Sequence, residues 1–216
     1  AEGANNVRGT EMGIERIRID KIKNVPTVLG ETDIVKIILT LPGVKSVGEA
    51  ASGFNVRGGA TDQNLVLFNG GTVYNPSHLF GMFSGFNPDI ANDIELYKCS
   101  IPVEYGGRIS SVLDVNTRQG NNREVIASLS AGALTTKGHI EGPIGKKTTF
   151  IAGGRTTYSD WLLNLLPKDS EYKMGTASFY DITAGLTHNF NDKHSIHFNG
   201  YYSSDQFKFR VDTKYA

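Results

Sequence analysis

The stretch GFNVRGGATDQNLVLFNGG at residues 53–71 decides the fold class of the first half of the chain. It holds two short runs of β-branched and aromatic residues, each bounded by Gly or Asn, which is typical of strands joined by tight turns. Two more such runs follow, IELYKCSI at 94–101 and SSVLDVNTR at 110–118. Upstream, GETDIVKIILTLPGV at 30–44 places Ile34, Ile37, Ile38 and Leu41 on one helical face before Pro42 and Gly43 end the run. The pattern predicts a turn-rich α+β unit.

From residue 123 onward, apolar and polar residues alternate along the sequence, which predicts strands with two different faces. The change of pattern predicts a domain boundary near residue 120, and hence domains 1–120 and 121–216. About six strands are predicted in the second domain: 123–131, 134–143, 148–157, 178–190, 194–204 and 206–214.

The links between these strands alternate in length. GPIGKK and FNDKH are short, whereas the link at 158–177 is long. Outer-membrane β-barrels alternate short periplasmic turns with long external loops, and the observed order fits that scheme. A soluble sandwich or barrel with one wet face fits the same alternation. Six strands cannot close a wide barrel, so a membrane barrel would need strands beyond this chain.

Composition excludes several classes of protein. The 22 basic and 22 acidic side chains balance, so the chain lacks the basic excess of a nucleic-acid-binding protein, and no nucleic-acid partner is expected. The single Cys excludes an intramolecular disulfide framework. No apolar run reaches the length of a membrane-spanning helix, so strands are the only membrane option.

Residues 53–120 resemble the plug domain of TonB-dependent outer-membrane receptors, and most of all the receptors common in Bacteroidetes. Five segments that occur in family order carry the resemblance: DIVKIILTLPGV (33–44), NVRGG (55–59), VYNPSHLFG (73–81), NPDIANDIELYK (87–98) and EYGGRISSVLDV (104–115). HIEGPIG (139–145) and FIAGGRTTYSDWLL (150–163) are similar to the opening strands of the family's barrel.

The resemblance implies an α+β plug domain followed by antiparallel transmembrane β-barrel strands, with only part of the barrel in this chain. It implies a receptor in the cell outer membrane that imports a scarce or bulky solute. The plug would lie in the barrel lumen with its N-terminus in the periplasm. The expected partners are TonB with its inner-membrane energising complex, outer-membrane lipid, an unknown small solute or oligomer, and a surface lipoprotein acting as a lid. No cofactor is expected.

An uncharged stretch of 26 residues lies between Asp62 and Asp89 and is rich in aromatic residues, Gly and Asn. Loops usually carry enough charge to be soluble, so this composition indicates a surface that meets a ligand or another surface. The resemblance to apical loops of the family gives four ligand-facing residues: Tyr74, Asn75, His78 and Phe86. The alternative is that these side chains pack the plug.

Arg57 and Arg108 each stand beside glycines, in VRGG and YGGR. Small neighbours let a guanidinium lie against backbone or reach a carboxylate. The resemblance implies that both contact acidic residues of the barrel wall. Solvated arginines on a strand surface are the alternative, and Arg57 could instead face the ligand.

An enzyme is not expected, because no nucleophile elbow, phosphate loop or dinucleotide motif occurs. His194 and His197 lack a third metal ligand nearby, so no metal site is predicted. A non-transporting surface adhesin or glycan-binding β module remains the alternative function, with the aromatic loops as its binding face.

Overall fold

The structure is a computed structural model that describes residues 13–19, 32–48, 53–79, 81–132, 134–158 and 175–209. The chain divides into two compact units between Arg118 and Gln119. Each unit is built around its own sheet.

In the residues that the structure describes, the first unit combines a short α-helix with short strands. The elements are β1 (Ile14–Arg18), α1 (Ile34–Ile38), β2 (Val44–Ser46), β3 (Phe54–Val56), β4 (Asn64–Phe68), β5 (Gly71–Thr72), β6 (Ser77–His78), β7 (Phe83–Ser84), β8 (Ala91–Tyr97) and β9 (Ser111–Thr117). The expected α+β architecture is thus confirmed.

Five of these strands form one mixed sheet in the order β1-β8-β9-β4-β5. Strands β4 and β9 at its centre are parallel, while the other neighbours are antiparallel. The strands β2 and β3 form a separate antiparallel pair, and β6 pairs with β7 in a small hairpin.

Both faces of the sheet contribute to the core of this unit. Ile94, Leu96, Leu113 and Val115 share one face, and each is fully buried. The other face carries a smaller apolar cluster of Leu67, Tyr97 and Val112 beside Glu95 and other polar groups.

Helix α1 begins where the sequence predicts. Asp33 is its N-cap, and a carboxylate oxygen accepts a hydrogen bond from the Lys36 amide at 3.0 Å. The helix buries Ile34 and Ile38, which are four residues apart and share one face. It ends before Pro42 and Gly43, as the sequence indicates.

The second unit is one antiparallel sheet whose strands follow sequence order. They are β10 (Ile126–Ala131), β11 (Thr135–Ile144), β12 (Thr148–Thr157), β13 (Gly175–Asn191) and β14 (His194–Phe209). The bounds of the first three lie close to those predicted. The long link predicted after β12 lies, for residues 159–174, outside the described residues.

The prediction of a separate strand at 206–214 is wrong for the residues that the structure describes. Gln206 and Phe207 continue β14 and pair with Ser178 and Ala177 of β13. The polar run Ser203-Ser204-Asp205 resembles a turn in sequence. Here it stays extended because the neighbouring strand supplies its backbone hydrogen bonds.

Burial in the second sheet is reversed relative to a water-soluble protein. The described side chains that are buried are mostly polar, among them Thr149, Arg155, Asp181, Thr183 and Thr187. Large apolar side chains are exposed instead: Ile140, Ile144, Tyr180, Ile182, Leu186, Phe190, Ile196, Phe198 and Tyr202. Exposed apolar surface on this scale requires a partner other than water.

No helix in the described segments is both long and apolar enough to cross a membrane.

Candidate functional site

Arg57 lies in a tight turn directly after β3. Its φ is +49°, a left-handed backbone conformation that residues other than Gly rarely adopt. The Arg57 amide donates to the Gly43 carbonyl at 2.9 Å, and the Gly59 amide donates to the Val56 carbonyl at the same distance. These backbone hydrogen bonds stabilise the strained turn. The Arg57 side chain is exposed.

A hydrogen bond from Ser110 joins this turn to the loop that carries Arg108. The Ser110 hydroxyl donates to the Val56 carbonyl at 3.0 Å, and its backbone amide donates to the Gln63 carbonyl at 3.0 Å. Ser110 also lies so close to Gly59 that a Cβ at Gly59 would overlap its side chain. Gly59, the second glycine of VRGG, is therefore required because the two loops approach closely at this point.

The two arginines thus belong to neighbouring loops of one unit. Arg108 is also exposed, and its guanidinium donates only to the adjacent Gly107 carbonyl, at 3.2 Å, among the bonds identified. Both guanidinium groups are therefore accessible from outside the first unit. Their contact with acidic residues of a barrel wall stays a prediction.

The four predicted ligand-facing residues separate into two pairs. Tyr74 is 87% exposed, and Asn75 beside it is exposed too. The Asn75 side-chain oxygen accepts a hydrogen bond from the Ser77 amide at 3.4 Å, which orders this exposed corner.

His78 and Phe86 do not fit the ligand-facing prediction. Only 3% of His78 and 1% of Phe86 is exposed. The Phe86 ring packs against Phe68 of the central strand β4, with ring centroids 5.4 Å apart. An uncharged stretch contains core and surface residues alike, and these two serve packing in this conformation.

A cavity of about 400 Å³ lies beneath this stretch. Val35, Lys36 and Leu39 line it from the side of α1, Ser77 and Phe83 from the β6–β7 hairpin, and Ser46 from the end of β2. Its volume is within the range of small-molecule sites. Sequence reasoning did not identify this cavity.

Asp33 lies at the edge of the cavity and contacts two elements at once. One carboxylate oxygen caps α1, and the other accepts a hydrogen bond from the Ser84 amide at 3.0 Å, across 51 residues of sequence. The capping role was readable from an Asp before an apolar helical run. The contact to Ser84 was not, because it depends on tertiary structure.

Three acidic side chains lie together on the polar face of the first sheet. Glu95 of β8 is opposite Asp114 of β9, and Asp93 is near them on β8. Arg16 binds Glu95 at 2.8 Å, and the Tyr97 hydroxyl donates to Glu95 at 2.6 Å. This cluster is not a metal site, since no group of three His, Cys, Asp or Glu side chains in the described part of the chain could hold a metal ion.

Three groups on this face have a raised pKa. Burial raises the pKa of Asp114, and the negative charges of Glu95 and Asp93 raise it further. Burial, followed by the hydrogen bond to Glu95, raises the pKa of Tyr97 strongly. Burial also raises the pKa of Tyr105, whose ring lies 5.3 Å from that of Tyr97. Asp114 therefore carries a charge that its surroundings disfavour.

The second unit has a buried ion pair of its own. Arg155 of β12 is opposite Asp181 of β13, and two guanidinium nitrogens approach one carboxylate oxygen, at 2.7 and 2.8 Å. Both side chains are 1% exposed, and the Arg155 guanidinium lies 5.0 Å from the centre of the Phe179 ring. Their pairing depends on the register of the two strands, which the sequence does not specify.

The first part of the chain matches a known family model. Residues 7–112 match the TonB-dependent Receptor Plug Domain. No curated protein is detectably similar in sequence.

Solved structures with the same fold include bacterial receptors and transporters. The chain is similar to the siderophore receptor PirA from Acinetobacter baumannii, with 16% identity, a TM-score of 0.68, and coverage of 97% of this chain and 33% of that one. It is similar to a mutant of the ferric enterobactin receptor PfeA from Pseudomonas aeruginosa, with 19% identity, a TM-score of 0.62, and coverage of 95% and 34%.

The chain is also similar to the ferric citrate transporter FecA in its unliganded form. The identity is 16%, the TM-score is 0.67, and the match covers 97% of this chain and 33% of that one. The chain thus spans about a third of the length of these structures. The fold is that of a TonB-dependent receptor plug domain followed by antiparallel strands of a partial barrel.

Proposed function

We propose that the chain is part of an outer-membrane receptor that imports a scarce or bulky solute and is energised through TonB. Residues 1–120 act as the plug in the barrel lumen, with the N-terminus in the periplasm, and residues 121–216 supply barrel strands. The partners are TonB with its inner-membrane complex, outer-membrane lipid and a surface lipoprotein lid. The motif resemblance further supports a receptor of the type common in Bacteroidetes.

The reversed burial of the second sheet is the observation that carries this proposal. Its exposed apolar side chains suit lipid, and its buried polar side chains suit a polar lumen. Tyr180 and Phe190 are ten residues apart on β13, or about 33 Å along a strand. At a tilt of about 40° this length spans about 25 Å, the height of the apolar band of outer-membrane barrels.

Aromatic contacts mark both ends of this band. Tyr180 and Tyr202 stack 5.9 Å apart at one end, and His188 meets Phe190 at 4.6 Å at the other. Outer-membrane barrels carry girdles of aromatic residues at the two membrane interfaces. The pair at each end supports a strand unit that spans the membrane.

Tyr74 and Asn75 are the residues we propose to contact the solute, because they are the exposed pair among the four residues predicted to face it. His78 and Phe86 instead hold that stretch in shape. The similar structures are named as receptors of siderophores and a transporter of ferric citrate, which supports import of a scarce solute by this chain. An uncharged surface of this kind suits sugars, peptides, cofactors or siderophores.

Membrane insertion is tested on the native polypeptide in purified outer membranes, detected with an antibody to residues 1–120. We expect a species several times heavier than 23.5 kDa whose electrophoretic mobility shifts on boiling. A soluble species of 23.5 kDa would instead support the adhesin or glycan-binding module.

Solute contact is tested in the full receptor with Tyr74→Ala and Asn75→Ala. Uptake of whichever sole iron or carbon source the wild type imports should fall, while the amount of folded receptor stays constant. Ile109→Ala is the matched control, because Ile109 is 80% exposed but lies outside the uncharged stretch. Uptake that is unchanged in both variants would remove these residues from the solute site.

A further inference from the structure

Asp33 links helix α1 to the β6–β7 hairpin through its two carboxylate oxygens. The Lys36 amide binds Oδ1 and the Ser84 amide binds Oδ2, each at 3.0 Å. A carboxylate that accepts two backbone N–H groups fixes both groups in a single geometry. The first turn of α1 and strand β7 are therefore held by the same side chain.

Lys36 adds a second bond between the same two elements. Its ammonium donates to the Met82 carbonyl at 3.0 Å and lies 3.9 Å from Asp33 Oδ2. The two contacts to the hairpin thus come from residues three apart, on adjacent positions of the helix surface. They bracket residues 82–84 at the edge of the cavity.

The bonds of β7 continue this link into the rest of the uncharged stretch. The Ser84 hydroxyl accepts a hydrogen bond from the Phe86 amide at 3.2 Å, and the Gly85 amide donates to the Pro76 carbonyl at 2.7 Å. Movement of Ser84 would therefore disturb the backbone on both sides of the hairpin.

We infer that Asp33 is the positioning residue that makes α1 and the β6–β7 hairpin move as one body. A displacement that reaches α1 from the N-terminal side of the chain is passed through Asp33 to the hairpin, so that the two elements shift together. The direction of this transfer, from the periplasmic end toward the solute, rests on the proposed function. The mechanical coupling itself does not.

Asp33→Asn separates the two contacts of the side chain. Asn caps a helix as well as Asp does, so the bond from Lys36 is kept. The amide NH₂ that replaces Oδ2 cannot accept from the Ser84 N–H. In the full-length receptor, hydrogen exchange at residues 84–86 should become about tenfold faster, while residues 37–39 keep their protection.

Asp62→Asn is the matched control, because Asp62 is exposed and lies in a short 3₁₀ turn away from the cavity lining. It should change exchange in neither segment. Equal exchange rates at residues 84–86 in the wild type and Asp33→Asn would show that the bond from the Ser84 amide to Asp33 does not stabilise the hairpin. That result would overturn the inference.

Coupling is tested by loosening α1 at Ile37, which does not line the cavity. Ile37→Gly lowers helix stability through its lower helix propensity and through the loss of a half-buried side chain. With Asp33 present, the change should speed exchange in α1 and also at residues 84–86. In the Asp33→Asn background, where the Lys36 bond to the Met82 carbonyl is kept, the response at residues 84–86 should be clearly smaller than in the wild type.

A hairpin that responds to Ile37→Gly equally in both backgrounds, or in neither, would contradict a transfer through Asp33. The measurement needs neither solute nor TonB, so its failure leaves the transport proposal standing. Conversely, a protein that proves not to insert in membranes can still show the coupling.

Discussion

Glu95 and Asp114 lie directly opposite each other on strands β8 and β9, so two carboxylates face one another across the first sheet. Arg16 neutralises Glu95 from the edge strand β1, at 2.8 Å. Asp114 is 8% exposed, its Oδ1 has no hydrogen-bond partner among the described residues, and hydrogen bonds from Tyr105 and Asn116 offset only part of the effect of burial. The sheet therefore contains a charge that opposes its own folding.

Replacing this carboxylate should stabilise the first unit at neutral pH. The folded-state pKa of Asp114 is raised above that of the unfolded chain, so its ionisation costs stability. That cost is absent below the unfolded pKa of about 3.9 and complete above the folded pKa. Asp114→Asn should raise the urea midpoint of the full-length protein at pH 8, measured by pulse proteolysis, and leave it unchanged at pH 3.

Asp62→Asn should leave the midpoint unchanged at both pH values, because Asp62 is exposed. A lower midpoint for Asp114→Asn at pH 8 would mean that the Asp114 charge is stabilising, contrary to the burial argument.

Gly59→Ala should destabilise the first unit by about 2 kcal/mol, since the new Cβ overlaps the Ser110 side chain. In a Ser110→Gly background, which has already lost the hydroxyl bond to the Val56 carbonyl, the same change should cost much less. Gly106→Ala is the control, because a Cβ there meets nothing within 4 Å. Additive losses in a double-mutant cycle would rule out the steric explanation.

Phe198 and Asn199 offer a matched test of the membrane face. They are adjacent and both exposed, but they lie on opposite faces of β14. Phe198→Lys should cost about 2–4 kcal/mol in lipid and reduce insertion of the full receptor, whereas Asn199→Lys should not. Heat-modifiable mobility reports insertion, and equal tolerance of both changes would argue for water on both faces.

Arg57→Gly separates the backbone of the turn from the guanidinium. Gly adopts a φ of +49° without strain, so the stability of the first unit should be unchanged or higher by about 1 kcal/mol. Solute uptake should nevertheless fall, because the proposed contact with the barrel wall is lost. Arg57→Lys keeps the charge and should lose less. Full uptake by Arg57→Gly would exclude a role for the guanidinium.

Local patterns were enough to predict most of the fold. Helix α1 shows an N-cap at Asp33 and a stop at Pro42 and Gly43, and both signals are encoded in neighbouring residues. The alternation along β11 to β14 identified strands because one face differs from the other throughout. The end of β14 was misread, since a polar run inside a paired strand has the composition of a turn.

The candidate site was less predictable because it depends on contacts between distant residues. Exposure separates Tyr74 from His78 although both lie in the same uncharged stretch. The Asp33–Ser84 bond spans 51 residues, and Arg155 meets Asp181 across a register that the sequence does not specify. The composition of the stretch indicates a binding surface, but tertiary packing determines which of its side chains are exposed there.

The parallel pairing of β4 with β9 also determines the order in which the chain can assemble. Residues 64–68 can form their parallel ladder only once residues 111–115, far along the chain, have come close. By contrast, short turns join β11 to β12 and β13 to β14. Closing a longer loop costs more entropy and slows folding. The two hairpins would therefore form early and the sheet of the first unit late.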